Sequence, residues 1–346
     1  MFAFTLAKSL RSQSHKVTVY SRHVGGVLTK QLRALDIPVY DNLLNLRHNR
    51  FDILHVSHNN IAYGTRYIFP HVPMVYLSHG VLPFLEQPPI FELNISKFLA
   101  ISEEVRGNLL AKGIPRRKIV IFRNIVDMDR FAPIKPLNQI PKRALIFSRK
   151  FDTHTRQVII QSCLSEGIQI HEIGDNVFDV ENYMNNADIV FTRGRGAIEA
   201  MSCGRVVVVP GDGLITHESV EDIQKCNFSG RRFRCPITRR VVKKFVRQYD
   251  PALGETNREI VRKRFSADRQ VHSIVQQYKE LISKYEDGKL DFDAITELAR
   301  PWYELDSVKL SVGYRCVKFY SSHIDGLLMK GRTMKKWLDG IRPLDT

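Results

Sequence analysis

Short apolar runs separated by helical patterns fill the first 210 residues and constrain the fold more than any other feature. The runs are continuous and rich in β-branched residues, a pattern typical of strands buried on both faces of a parallel sheet. They lie at 16–20, 37–40, 53–56, 74–78, 98–101, 119–122, 144–148, 168–173, 188–191 and 205–209. Helices must connect and cover such strands, so the sequence predicts an α/β fold built from Rossmann-like sheets.

A proline-rich segment interrupts this alternation after the sixth run. Residues 131–143 contain three prolines in a span too short for a further helix and strand, so we interpret them as an interdomain linker. The sequence then predicts an N-terminal Rossmann-like domain at 1–135 and a C-terminal one at 136–287. One or two helices at 255–287 are expected to close the second domain.

Length and composition limit the remaining possibilities. The 346 residues, 43% of them apolar, suffice for one or two sizeable cores. No apolar run approaches the roughly 18 residues that cross a bilayer, and the apolar stretch at the start is too short for a secretory signal, so we expect a cytoplasmic protein. The five cysteines are scattered without a close pair, which favours free thiols over disulfides or a zinc site.

Residues 188–210 have the pattern of a strand, a glycine-rich turn, a short helix and a second strand. Gly194 and Gly196 allow close approach of a ligand, and a helix that begins near Ala197 directs N–H groups and its positive dipole end at an anion. Glu199, in the first helical turn, can accept hydrogen bonds from ribose hydroxyls beside a diphosphate. The stretch predicts a nucleotide-sugar site, although two glycines before a helix also form an ordinary βα turn.

A second stretch, residues 98–131, resembles the end of the N-terminal domain in family 4 glycosyltransferases. These enzymes have a strand ending in Ala-x-Ser-Glu, a helix, Gly-Ile/Val-Pro, a strand, and Asn-Gly-Val-Asp followed by Arg-Phe. Ile125 replaces the glycine of the last motif; the matching residues are Asn124, Val126, Asp127, Arg130 and Phe131. The resemblance covers roughly residues 5–285 and implies the GT-B architecture, two Rossmann-like domains facing a cleft.

The start of the chain departs from the family pattern. Family members usually begin with a strand and a Gly-Gly loop before the helix that is predicted here at 4–14. The first N-terminal strand is therefore expected to be missing, through a late annotated start, a fragment or a lost acceptor-facing edge. The Gly25–Gly26 pair follows the next strand and is interpreted as an ordinary turn.

The resemblance implies that His79, at the end of a predicted strand, faces the donor sugar and is the catalytic residue. A histidine hydrogen-bonded at a strand end is the alternative, and His55 and His58 are weaker candidates with structural or acceptor-side roles. Retaining enzymes of this type are thought to need no strong base, because the leaving diphosphate helps to remove the acceptor proton. The protein then contributes positioning and charge stabilisation.

Cations at the donor diphosphate are a further implication of the resemblance. Arg149 matches the family's arginine after the first strand of the C-terminal domain, and either Lys150 or Arg156 replaces its lysine; a solvated basic loop is the alternative. The commonest donor motif has a first glutamate at the position of Phe191, so this turn resembles a shorter variant that uses backbone N–H groups and one of two arginines. Its predicted donor-binding residues are Arg193, Gly194, Arg195, Gly196, Ala197 and Glu199.

The formal net charge of +16 divides into +9 over residues 1–135 and +7 over the remainder. In the family the N-terminal domain binds the acceptor, often a glycan or a lipid-linked sugar, so a basic surface there suits docking at the inner face of an anionic membrane. Residues 231–247 are interpreted as a solvated helix face or another docking patch. The extension at 288–346 contains mixed aromatic and basic residues at 314–337, which suit an interfacial element or a peripheral helix. Nucleic-acid binding lacks a supporting motif.

These observations together predict a glycosyltransferase that moves a sugar from a nucleotide-diphosphate sugar to a glycan or lipid-linked acceptor, with retention. No metal or other cofactor is expected, because GT-B enzymes generally work without a divalent ion. One alternative is a truncated, inactive partner subunit, motivated by the missing strand and the absent first glutamate. The other is a nucleotide-sugar epimerase on the same architecture, which would need acid/base carboxylates that the sequence does not reveal.

Overall fold

The computed structural model describes residues 1–89, 93–148, 151–174, 177–231 and 236–285. The chain divides into two compact units. Unit 1 consists of Met1–Leu46, Ala100–Gly107 and Ile121–Ser283, and unit 2 of Arg47–Leu99, Asn108–Val120 and the described residues 284–285. The predicted domain boundaries at 135 and 287 stay predictions, and the extension at 288–346 lies outside the described residues.

The described chain contains eleven strands and eleven α-helices, which alternate over parts of its length. Its first part contains α1 (Phe2–Ser12), β1 (Val19–Tyr20), α2 (Gly26–Ala34), β2 (Val39–Tyr40), β3 (Leu54–Ser57), α3 (Asn59–Ile68), β4 (Met74–Ser78), β5 (Ile95–Ala100), α4 (Glu103–Ala111) and β6 (Ile119–Ile121). The second part contains β7 (Arg143–Phe147), α5 (Thr153–Ser165), β8 (Gln169–Glu172), α6 (Val180–Asn185), β9 (Ile189–Thr192), α7 (Arg195–Ser202), β10 (Val206–Val209), β11 (Gly213–Leu214), α8 (His217–Gln224), α9 (Arg239–Arg247), α10 (Ala252–Arg264) and α11 (Ala267–Ser283). Each apolar run overlaps one of the first ten strands, so the predicted strand positions are confirmed.

The main sheet of unit 1 has the strand order β11-β10-β9-β7-β8. β7 pairs in parallel with β8 on one side and β9 on the other, β9 and β10 are parallel, and β11 is antiparallel. The order therefore reverses between β7 and β9. In such a sheet the connections after these two strands cross to opposite faces and leave a crevice at the carboxyl ends.

Both faces of this sheet are buried, which explains the continuous apolar runs. Leu145, Val190 and Val207 pack on one face with α6, α7 and α10. Their chain neighbours Ile146 and Ile189 pack on the opposite face with α5 and α9. Successive strand residues alternate between faces, so a strand between two layers of helices needs apolar residues throughout.

The start of the chain belongs to unit 1. The helix predicted at 4–14 is observed as α1, which packs Phe4 and Ala7 with Leu32 and Ile37 beside the parallel pair β1–β2. The described residues 131–142 contain neither helix nor strand, as predicted, and the buried Asp188 carboxylate accepts hydrogen bonds from backbone N–H groups in that segment. The segment's role as an interdomain linker stays a prediction.

Unit 2 is built on a sheet of order β3-β4-β5-β6, in which β3 and β4 are parallel. All five residues of β4 are buried. The fully buried Arg66 donates hydrogen bonds to the carbonyls of Phe69, Val72 and Leu93, which fixes the loops around this sheet. Among the described residues of the chain, no helix combines the length and apolar character needed to cross a membrane.

Candidate functional site

The predicted glycine-rich turn lies at the carboxyl edge of the unit 1 sheet, between β9 and α7. The turn after β9 is adjacent to the connection after β7, because these strands are neighbours where the strand order reverses. The hydroxyl of Thr192 donates to the carbonyl oxygen of Phe147 at 2.6 Å and joins the two strand ends. Ligands of parallel α/β sheets bind at this position. The turn is therefore placed where this sheet can hold a ligand.

Both glycines of the turn are required by its geometry. Gly194 precedes α7 with φ +61° and ψ −131°, a conformation that side chains disfavour, and its N–H donates to the carbonyl of Phe228 at 2.7 Å. A Cβ on the buried Gly196 would overlap the hydroxyl oxygen of Thr192 and lie 3.2 Å from a ring carbon of Phe147. A glycine at 196 thus lets α7 begin directly against the strand ends.

Two backbone N–H groups at the start of α7 donate hydrogen bonds to carbonyls within the chain. Besides the Gly194 N–H, the N–H of Ala197 donates to the carbonyl of Gly194 at 3.2 Å. These two N–H groups already have acceptors within the chain. The binding of an anion at the helix start stays a prediction.

Arg195 and Glu199 form a buried ion pair one turn apart in α7. Arg195 Nε lies 2.6 Å from Glu199 Oε1, and only 16% and 5% of the two side chains are exposed. Arg195 Nη2 donates to the hydroxyl of Thr5 in α1 at 2.9 Å. Within the part of the chain that the structure describes, Arg195 Nη1 is a buried nitrogen without a hydrogen-bond partner. A buried donor without an acceptor costs about 1–3 kcal/mol, so an added anionic oxygen would be stabilised here.

Arg193 is turned toward the loop after β10. Its Nε and Nη2 donate to the carbonyl oxygen of Pro210 at 3.1 and 2.8 Å, and its guanidinium lies 5.0 Å from the ring centre of Phe151. Burial lowers the pKa of Arg193, and the negative charges of Asp212 and Asp152 oppose that shift. Of the two arginines that the sequence left open, Arg195 is the one that lies beside Glu199.

Arg156 stabilises the connection after β7. From the first turn of α5 it donates to the carbonyls of Ser148 at 2.8 Å and Phe151 at 3.1 Å, and it forms an ion pair with Glu172. Its predicted role in donor binding stays a prediction. Arg149 and Lys150 lie outside the described residues, so their predicted contacts with a diphosphate also stay predictions.

Three histidines of unit 2 belong to β3 and β4 or follow them directly: His55 lies within β3, His58 follows β3 and His79 follows β4. His79 is half-buried and follows β4 directly, which confirms its predicted place at a strand end. Burial, with a smaller effect of the nearby His79, lowers the pKa of His55 to about 3, so His55 is neutral at pH 7. His58 has a left-handed backbone at the start of α3, with φ +73°, and burial lowers its pKa. The catalytic role of His79 stays a prediction.

The sequence analysis missed Glu86, whose carboxylate lies against Gly80, the residue after His79. Glu86 ends a 3₁₀ turn, and a Cβ on Gly80 would overlap its Oε2, so the carboxylate rests on the backbone next to His79. Ser78 donates to the carbonyl of Glu86 at 3.0 Å, and Tyr76 donates to that of Gln87 at 2.7 Å. No motif marks this glutamate, because the turn folds it back onto the end of β4.

Known proteins share both sequence and structural features with this chain. Residues 1–130 match the sequence model of Glycosyltransferase Family 4. A glycosyltransferase from Rickettsia africae has a similar structure, with a TM-score of 0.55 and 19% identity over 82% of this chain and 94% of that one. The match to the family model covers the first 130 of the 346 residues, so the N-terminal part of the chain is similar to family 4 glycosyltransferases. The α/β fold with parallel sheets is that of GT-B glycosyltransferases, as predicted.

Two further solved structures have a similar fold. HepE from Anabaena in complex with UDP and glucose has a TM-score of 0.57 and 15% identity, covering 82% of this chain and 96% of that one. A UDP-GlcNAc 2-epimerase from Neisseria meningitidis bound to UDP-GlcNAc has a TM-score of 0.52 and 15% identity, covering 81% and 97%. At these identities the likeness shows the fold alone. A search of the curated proteins gives no significant match.

The turn at 124–131, which resembles the family motif, is well packed although Ile125 replaces the glycine of that motif. Ile125 is fully buried. Asp127 pairs with Lys8 of α1 at 2.6 Å and accepts the backbone N–H of Arg130 at 3.2 Å, and Arg130 pairs with Glu181 at 3.0 Å. Asp127 therefore stabilises the turn. No group of three potential metal-ligating side chains occurs among the residues described.

Proposed function

We propose that this protein is a glycosyltransferase that moves a sugar from a nucleotide-diphosphate sugar to a glycan or lipid-linked acceptor. The observation that carries the proposal is the unpartnered Nη1 of Arg195 at the start of α7, where the strand order reverses. A diphosphate oxygen would give this nitrogen a charge-assisted acceptor. The fold neighbours that hold UDP with glucose, or UDP-GlcNAc, support a donor of this class.

The ion pair suits both parts of such a donor. The positive guanidinium of Arg195 and the dipole of α7 would stabilise the charge of the diphosphate. The carboxylate of Glu199, held by Arg195, would accept a hydrogen bond from a ribose hydroxyl. His79 is proposed to bind the donor sugar, and Arg149 with Lys150 or Arg156 to add positive charge at the diphosphate. Because these cations are part of the chain, we propose that transfer requires no divalent metal.

Transfer is proposed to proceed with retention. The acceptor hydroxyl oxygen forms a bond to the anomeric carbon as that carbon's bond to the diphosphate breaks, and the electron pair leaves with the diphosphate. The acceptor proton passes to the leaving diphosphate on the same face of the sugar. The contribution of Arg195 is then largest in the transition state, where negative charge on the leaving group grows.

Binding and product measurements test this proposal. Calorimetry with UDP, GDP, ADP and their sugars should detect at least one nucleotide, and Glu199→Gln should weaken its binding about 10-fold, the value of roughly one good hydrogen bond. Glu259→Gln is a matched control, because it alters an exposed helical ion pair with Arg262 in α10. Binding of no nucleotide by the wild-type protein would contradict the proposal and favour the inactive partner subunit.

Epimerisation of a nucleotide sugar is a second candidate, and Glu86 is the specific observation in its favour. An epimerase needs acid/base groups near the sugar, and Glu86 places a carboxylate next to the backbone of His79. Nuclear magnetic resonance of the sugar after incubation without an acceptor separates the two reactions. Transfer predicts an unchanged sugar until an acceptor is added, whereas epimerisation predicts a new stereoisomer from the donor alone.

A cytoplasmic location with contact to an anionic membrane is proposed from the charge. Helix α9 buries Val242 and Val246 and exposes Arg239, Arg240 and Lys244, without any acidic residue. Each well-placed cation contributes about 1 kcal/mol to binding of an anionic surface. Sedimentation with vesicles of phosphatidylglycerol and phosphatidylcholine should show binding that weakens as salt increases. Equal sedimentation with purely zwitterionic vesicles would contradict this contact.

A further inference from the structure

The segment Lys225–Arg231, which follows α8 in unit 1, contains two consecutive residues with left-handed backbones. Asn227 has φ +51° and Phe228 has φ +54°. Asparagine tolerates this region, but phenylalanine rarely adopts it, so the surroundings must hold the segment in place. The ring of Phe228 is fully buried, with its centre 5.7 Å from that of Phe265.

Residues of the stretch 98–131 hold this segment at two points. The buried side chain of Asn124 donates through Nδ2 to the Oδ1 of Asn227 at 2.8 Å. The backbone N–H of Glu104 donates to the carbonyl of Lys225 at 3.0 Å, and its carboxylate lies 2.5 Å from Nη2 of Arg231. Asn227 and Phe228, with their left-handed backbones, therefore lie between two contacts of Glu104, one with Lys225 and one with Arg231.

The other side of the segment meets the glycine-rich turn. The carbonyl of Phe228 accepts the N–H of Gly194 at 2.7 Å. A Cβ on Gly230 would lie 2.5 Å from Nε of Arg193, so the segment also packs closely on the preceding residue of the turn. Gly194 is itself in a conformation that only glycine adopts readily, with φ +61° and ψ −131°. Its hydrogen bond to Phe228 thus sets the direction in which α7 begins.

We propose that Asn124 and Asn227 are positioning residues for donor binding. Their hydrogen bond fixes the carbonyl of Phe228, which fixes Gly194 and so aims Arg195 at the diphosphate. This inference rests on the proposed function, because the diphosphate site is itself proposed there. It also gives a physical reason why stretches 98–131 and 188–210, far apart in sequence, serve one site.

Substitutions at 227 separate the side-chain contact from the backbone conformation. Asn227→Ala removes the side-chain acceptor of the Asn124 hydrogen bond and also disfavours the left-handed backbone at 227. Asn227→Gly removes the same acceptor but allows the left-handed backbone. Asn227→Asp keeps a side-chain acceptor and tolerates the left-handed backbone. Calorimetry with UDP, GDP and ADP, each beside its monophosphate, is the readout. We expect diphosphate affinity to fall about 10-fold or more in Asn227→Ala and in Asn124→Ala, less in Asn227→Gly, and about twofold or less in Asn227→Asp.

Monophosphates distinguish positioning from a general loss of local structure. Misdirection of Arg195 should weaken the diphosphate more than the monophosphate, whereas a collapsed pocket would weaken both equally and would overturn the inference. Lys225→Ala is the control within the same segment, since it removes only an exposed ion pair with Asp222, and affinity should stay within twofold. Wild-type binding with unchanged affinity in Asn124→Ala and Asn227→Ala would overturn the positioning role and leave the proposed function intact. If the wild-type protein bound no nucleotide, both the positioning role and the proposed function would be contradicted.

Discussion

Removal of Arg195 should destabilise the protein because it leaves a carboxylate buried without its partner. Glu199 is 4% exposed, and its Oε1 lies 2.6 Å from Nε of Arg195. Breaking a buried ion pair from one side typically costs 3–5 kcal/mol, since the remaining charge has lost its solvation and its partner. Arg195 is partly exposed, with 16% of the side chain accessible, so we expect about 3 kcal/mol for Arg195→Met at pH 7.

Urea unfolding followed by circular dichroism measures this loss of free energy, and a double-mutant cycle identifies its cause. In Arg195→Met/Glu199→Gln the buried charge is absent, and we expect most of the stability to return. A loss below about 1 kcal/mol in Arg195→Met, or additive losses in the double variant, would refute the argument that the pair is buried and coupled.

Two further predictions follow from the same structure. Gly196→Ala forces a Cβ onto Thr192 and toward Phe147, and we expect a loss of about 1–3 kcal/mol in the free energy of unfolding, with no comparable effect from Gly107→Ala, where nothing lies within 4 Å. His55 has its pKa lowered to about 3 from an ordinary value of 6.5, so the unfolded chain binds a proton that the folded chain excludes. The free energy of unfolding should therefore fall as the pH drops from about 6.5 toward 3, by up to about 1.4 kcal/mol per pH unit. Urea unfolding at several pH values should show that His55→Gln makes this pH dependence less steep. A pH dependence that the substitution leaves unchanged would contradict burial of a neutral imidazole.

Continuous apolar runs were sufficient to locate the strands, because burial between two helical layers requires apolar residues at every position. The two-residue strand β11 was missed, since Gly213 and Leu214 carry no such pattern. The glycine-rich turn was recognisable because its φ and its close helix packing both exclude side chains at Gly194 and Gly196. These features depend on local sequence alone.

The partners of the polar side chains could not be predicted in the same way. The sequence did not distinguish Arg193 from Arg195. Only the fold shows that Arg193 donates to the carbonyl of Pro210, whereas Arg195 donates to Glu199. The contact between Asn124 and Asn227 joins residues 103 positions apart. Such pairings depend on which loops the sheet brings together, and a single sequence carries no direct signal for them.

The crystal structure of the protein with UDP, or with whichever nucleoside diphosphate binds in calorimetry, tests the central claim most directly. We predict that the diphosphate lies at the start of α7, with an oxygen about 3 Å from Nη1 of Arg195 and a ribose hydroxyl near Glu199. A nucleotide bound elsewhere on the chain, with Nη1 of Arg195 still lacking an anionic partner, would contradict the account.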